Sequence, residues 1–151
     1  MKKLLVLAVA VVALSAAGLA YSALSQSGTF QKGTSVFGGG HAVIVGFDRT
    51  FSLYARNGHG TVIRSGTALP FTCATIVGNT AVLGGKSTVK GEYFLMEVVD
   101  DGLPVGGPAG DQISPFIIAT GPAPTTCPSP SDFNPVELDT VDAGDITVHT
   151  S

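Results

Sequence analysis

Cys73 and Cys127 are the only cysteines of the chain. In an exported protein such a pair is most simply one disulfide; the alternative is two free thiols buried apart in a core. Joined, they close a loop of about 55 residues, and restricting that loop in the unfolded chain stabilises the fold by about 4 kcal/mol. Asp100, Asp101 and Asp111 bracket a glycine-rich loop, which could fold carboxylates and carbonyls around a calcium ion. The Asp-x-Asp-x-Asp-Gly spacing of an EF-hand is absent, and Asp and Gly are ordinary turn residues. The loop is a weak metal candidate, and the expectation is no metal and no cofactor. His41, His59 and His149 match no zinc-ligand spacing and read as residues of turns and strand ends.

A hydrolase reading finds little to stand on. Gly58-His59-Gly60 and Ser65-Gly66 supply a histidine and a serine, but no Gly-x-Ser-x-Gly elbow accompanies them, and paired cysteines offer no thiolate nucleophile. Leu69-Pro70-Phe71-Thr72-Cys73 approaches a sortase signal, yet has Cys where the last Gly belongs and lies mid-chain. The glycine runs at 38–40, 84–85 and 106–107 lack the lysine of a phosphate loop and read as flexible joints. No catalytic residues are expected.

The first 25 residues read as an export signal. Met1-Lys2-Lys3 is a basic start, Leu4 to Leu14 runs without charge, and Ser15 to Ala17 are small; this is the layout of a signal peptide. Several later positions also suit cleavage, so its site stays open. The competing reading is a retained anchor, since Leu4 to Leu24 is long enough to span a bilayer. Ser15, Gly18 and Ser22 dilute it, and no charged stop follows. No cysteine sits near its end to carry a lipid. Cleavage leaves six basic against eleven acidic side chains, a net negative chain that argues against nucleic acid and anionic membrane as partners. The charges are segregated: the bases end at Lys90, and ten acids follow from Glu92 onward. Pairing across antiparallel strands would make the two halves complementary.

The elements that must position these residues are strands. Short runs rich in β-branched and aromatic residues alternate with Gly, Asn, Asp and Pro, the pattern of a sandwich or barrel. His41 to Phe47 reads as one run. Thr50 to Arg56 alternates, with Phe51, Leu53 and Ala55 on one face, and stops at Asn57-Gly58, a hairpin dipeptide. Gly60 to Arg64 returns from it. Phe71 to Val77, a Gly78-Asn79 turn and Thr80 to Leu83 form a second hairpin, extended by Lys86 to Val89. Gly91 to Val99 is a long strand with Phe94, Met96 and Val98 on one side. Pro115 interrupts Ile113 to Ala119, and Asp145 to His149 alternates Ile146 and Val148 inward. Residues 102–110 and the proline-rich 121–135 read as loops. The expected fold is all-β: one small antiparallel β-sandwich or flattened barrel of about seven to nine strands over 41–151, preceded by a signal helix (1–25) and a flexible arm (26–40).

The central stretch is similar to the post-COAP-1 domain, a small β-domain of secreted and surface-attached bacterial proteins. The resemblance rests on Ile76-Val77-Gly78-Asn79-Thr80-Ala81-Val82, Gly91-Glu92-Tyr93-Phe94, Val98-Val99-Asp100-Asp101-Gly102-Leu103-Pro104 and Gly144-Asp145-Ile146-Thr147-Val148-His149, in that order. It covers roughly residues 47–149. Cys73, Cys127 and the insertion at 121–135 depart from the pattern. The resemblance implies a secreted, periplasmic or cell-surface address and no activity. The leading expectation is a non-enzymatic structural or interaction module meeting a protein or polysaccharide surface. The alternative is a small-ligand or polysaccharide-binding barrel whose pocket is lined by Phe47, Phe51, Tyr54, Tyr93 and Phe94.

Overall fold

The computed structural model describes residues 33–57, 59–102, 110–135 and 137–150. The expected signal segment 1–25 and the glycines 106–107 lie outside the described residues. Nine strands follow one another: β1 Ser35–Ile44, β2 Phe47–Arg56, β3 His59–Arg64, β4 Thr67–Val77, β5 Thr80–Lys86, β6 Glu92–Val99, β7 Gln112–Ile113, β8 Ile117–Thr120 and β9 Asp139–His149. From β1 to β7 each strand pairs with the next, and β9 pairs with both β7 and β1. Eight strands thus close an antiparallel barrel, and β8 is one strand more, laid along β6 beyond β7. The fold is all-β, as the alternation predicts.

Binary patterning explains the closure. Phe51, Leu53 and Ala55 of β2 are buried while Ser52 and Tyr54 between them are exposed, because successive side chains of a strand face opposite sides. The same alternation sends Phe94, Met96 and Val98 of β6 inward, each fully buried. They meet Val36, Val62, Leu83, Ile113 and Ile146 in one core, where each large apolar side chain contributes about 1.5–3 kcal/mol. An eight-stranded barrel is just wide enough for such side chains to fill.

Three details differ from the sequence expectation. The run from His41 to Phe47 is two strands: Val45 and Gly46 take positive φ values of 50° and 73° and turn the chain back, a geometry that matches the twist of a tight hairpin. The expected arm at 26–40 gives way at Ser35, so Gly38, Gly39 and Gly40 lie in β1 rather than in a joint. They are needed there. A Cβ on Gly40 would stand 2.0 Å from the Ala143 carbonyl oxygen, since β9 crosses β1 at close range beside a bulge. Finally, the interruption expected at Pro115 is a full break rather than an edge or bulge: β7 and β8 are separate strands with Ser114, Pro115 and Phe116 between them.

A second, smaller core lies outside the barrel wall. Cys73 and Val82 face outward from β4 and β5 and pack with Cys127 and Phe133 of the proline-rich loop, with Leu95 and Ile117 at its border. The disulfide Cys73–Cys127 joins the two layers, with Cα atoms 5.4 Å apart. On either side of it the Thr72 hydroxyl donates to the Pro124 carbonyl (2.6 Å) and the Thr75 hydroxyl to the Cys127 carbonyl (2.8 Å). The loop is thereby strapped across the wall.

Candidate functional site

The upper end of the barrel carries the β1–β2, β3–β4 and β5–β6 turns; the lower end carries the β2–β3 and β4–β5 turns and the 100–111 loop. Two of the three aspartates that bracket the glycine-rich loop, Asp100 and Asp111, have their carboxylates engaged at the lower end. Asp111 Oδ2 accepts the Ile146 N–H at 2.6 Å, its Oδ1 accepts the Asp101 N–H at 3.1 Å, and Asp100 Oδ2 accepts the Val148 N–H at 2.8 Å. β9 pairs with β7 only at Thr140 and Asp139, so below that point its N–H groups on this side lack a neighbouring strand. The carboxylates take the place of that strand. Asp100 is held in turn by the β4–β5 turn, whose Asn79 amide donates to its carbonyl at 2.6 Å. Burial is the main force pushing the Asp111 carboxyl above its ordinary range, against the lowering effect of the two N–H donors.

The three histidines are not brought together. His149 pairs in register with Ser35 at the lower end, its ring tilted against Phe37 at 5.4 Å between centroids. His41 stands six residues further up β1, about 20 Å along the strand, and His59 opens β3. His41 lies between Asp48 (3.6 Å) and Asp142 (3.7 Å) on the outer face. Among the described residues, no group of three or more His, Cys, Asp or Glu side chains is placed to hold a metal ion. Ser65-Gly66 is a hairpin turn, with φ of 47° and 82°.

The aromatic set of the ligand-binding alternative is divided. Phe51 and Phe94 are core residues, Tyr54 is 52 % exposed on the outer face, and Phe47 is 61 % exposed at the upper rim. They do not line one pocket. A shallow outer groove of about 190 Å³ lies instead over the β2–β3 hairpin, bounded by Thr50, Phe51, Ser52, Ile63, Ser65 and Gly66.

What the strand registers do gather is a pair of arginines. Arg49 stands opposite Ala42, and Arg64 opposite Phe51. Directly opposed residues share a face, and Ala42 and Phe51 belong to the core. Both guanidinium groups therefore point inward near the upper mouth. Arg49 lies over the Phe47 ring (5.2 Å to the centroid) and Arg64 over Phe116 (4.6 Å), which itself stacks on Phe94 at 4.8 Å. Such cation–π contacts attract a guanidinium to the face of the ring. Burial first, and the charge of Arg49 second, pull the Arg64 pKa below its ordinary value. The expected pairing of basic and acidic halves does not occur here. Among the described residues, the ion pairs within 4.0 Å are those of His41, and all eleven Asp and Glu fall within the described residues. Arg49 Nε is shut off from solvent with no hydrogen-bond partner.

These arginines were missed by motif reasoning, which had no motif to find. The signal was the alternation itself: extending the Phe51-Leu53-Ala55 face back by one step reaches Arg49, and the Val62 face forward reaches Arg64. Comparison with protein-family models, with curated proteins and with solved structures finds no match. The buried disulfide is compatible with an oxidising extracellular or periplasmic setting.

Proposed function

We propose that this chain is an exported, non-enzymatic interaction module of the post-COAP-1 kind, a barrel that acts by contact outside the cytoplasm. The observation that supports it best is the strap: the bond between Cys73 and Cys127 ties a proline-rich loop to the barrel wall, a device suited to oxidising compartments. The basic and then apolar start of the chain, Met1 to Ala17, supports export. Two carboxylates of the weak metal candidate are engaged in holding backbone: Asp100 and Asp111 accept N–H groups of β9. A role by contact needs no convergent nucleophile, base and oxyanion donor.

The test is expression in a secreting bacterial host, followed by fractionation and intact-mass analysis. The expected product lies outside the cytoplasm, begins after a cut between Ala17 and Gln26, and is two hydrogens lighter than the reduced form. Protein retained in the cytoplasm with Met1 in place, or carrying two free thiols, overturns the reading. So does turnover of any ester, amide or glycoside substrate that survives repurification.

A further inference from the structure

The upper mouth of the barrel holds two arginines, and among the described residues no acidic side chain comes within 4.0 Å of either guanidinium; the Asp139 carboxylate at the rim accepts the Val45 N–H at 3.4 Å. Arg49 and Arg64 are close enough for the one to disfavour the charge of the other. Both side chains are half-buried, and like charges partly withdrawn from water disfavour one another unless an opposite charge joins them. Every Asp and Glu of the chain lies in the described residues, and none reaches either guanidinium. The Nε–H of Arg49 is a donor out of solvent with nothing to accept it, a position that an unmet ligand atom would explain.

The rim points the same way. Each guanidinium carbon lies over a phenyl ring, Arg49 over Phe47 and Arg64 over Phe116, and such a contact uses the charge of the group without consuming its N–H donors. A planar fork of N–H donors matches the two oxygens of a carboxylate. Phe47 stands 61 % exposed beside it, and the adjoining Val45 is 54 % exposed with a φ of 50°. That is an unfavourable conformation for a β-branched side chain, and strain of this kind collects at binding sites. Together these residues offer a charged seat with an apolar lip.

We infer that Arg49 and Arg64 form a binding site for a carboxylate attached to a flat, apolar body, seated at the upper mouth between Phe47 and Phe116. The inference rests on the reading of the chain as a module that works by contact, and supplies the ligand class that reading leaves open. Binding is reversible and forms no covalent bond.

The probe is benzoate, titrated into the full oxidised chain while the Nε–H resonances of the arginines are followed by NMR. Expected is saturable binding with Kd on the order of a millimolar, with shifts at Arg49 and Arg64, and no such effect from benzamide, the uncharged counterpart. Arg49→Gln and Arg64→Gln should each weaken benzoate by about tenfold or more, since a bond to a charged group is worth about 1.5–3 kcal/mol. Arg56→Gln, on the outer side of β2, should leave it unchanged. Far-ultraviolet circular dichroism and Tm accompany each variant; relieving the Arg49–Arg64 repulsion should keep both variants folded. Absence of benzoate shifts in the native chain, equal binding of benzamide, or undiminished binding by the folded double variant each overturns the site. Inorganic phosphate binding where benzoate does not would overturn the carboxylate assignment. None of these outcomes bears on export or oxidation, so this proposal and the reading beneath it fail separately.

Discussion

Asp111 reaches across from the end of the lower loop and accepts the Ile146 backbone N–H at 2.6 Å, in the stretch where β9 has run past β7 and has no strand on that side. A side chain here performs the task of a sheet ladder. Leaving a buried backbone donor unmet costs about 1–3 kcal/mol. Asp111→Ala is therefore expected to lower stability by about that amount, and to speed amide exchange at Ile146 far more than at Val62, which sits in the uninterrupted part of the wall. Urea denaturation and residue-resolved hydrogen exchange measure the two. Unchanged protection at Ile146 would contradict the assigned role.

Glu97 is 7 % exposed on β6, and its Oε2 has no hydrogen-bond partner. Burial raises its pKa, as it raises that of Asp111. A carboxyl whose folded pKa lies above the unfolded one favours the folded state below the unfolded pKa, and that contribution is lost as pH rises through the folded pKa. The ordinary values are 4.5 and 3.8, so Tm should increase as pH falls from neutrality toward the ordinary carboxylate range. Glu97→Gln should raise Tm at neutral pH and flatten the profile. A native Tm that only declines between pH 7 and 5 would count against this account.

The strap leaves room at one position for no side chain at all. A Cβ on Gly84 would lie 2.8 Å from the sulfur of Cys73, 3.0 Å from that of Cys127 and 2.7 Å from Leu95 Cδ2. Overpacking of a filled site costs about 1–3 kcal/mol. Gly84→Ala should destabilise by that much in the oxidised protein and by clearly less when Cys73 and Cys127 are both replaced by alanine, because contacting sites couple. Equal penalties in the two backgrounds would separate Gly84 from the disulfide.

Val45 is expected to be improvable. A β-branched residue held at a φ of 50° is out of place where Asn fits well. Val45→Asn should stabilise the hairpin by about 0.5–1 kcal/mol, within the usual yield of repairing a local misfit. If the strain serves the upper mouth, the same change should also weaken benzoate, which titration will read directly.

Much of the barrel was legible because its walls obey period two. The inward sets of β2 and β6 follow from alternation alone, and the disulfide from two cysteines in a chain whose first residues read as an export signal. The β1–β2 turn was hidden because Val45 is a poor turn residue by type, and only the closing of the barrel makes it turn. Gly38 to Gly40 and Gly84 resemble linkers in composition, while their task is to let another strand or a pair of sulfurs approach. The arginine pair escaped for a related reason. Arg49 and Arg64 are fifteen positions apart and belong to different strands, and only the register across β2 and β3 brings them to one mouth.

β1 and β9 complete the barrel by pairing Ser35 with His149 and Val36 with Val148. The last ladder to form thus joins the first strand to the final one. A chain emerging in order from a ribosome or a translocation channel keeps an open edge until nearly all of it has appeared. Contacts so distant in sequence also make folding slow. The topology delays completion by itself, so emergence of the chain and closure of the barrel are separated in time without any added factor.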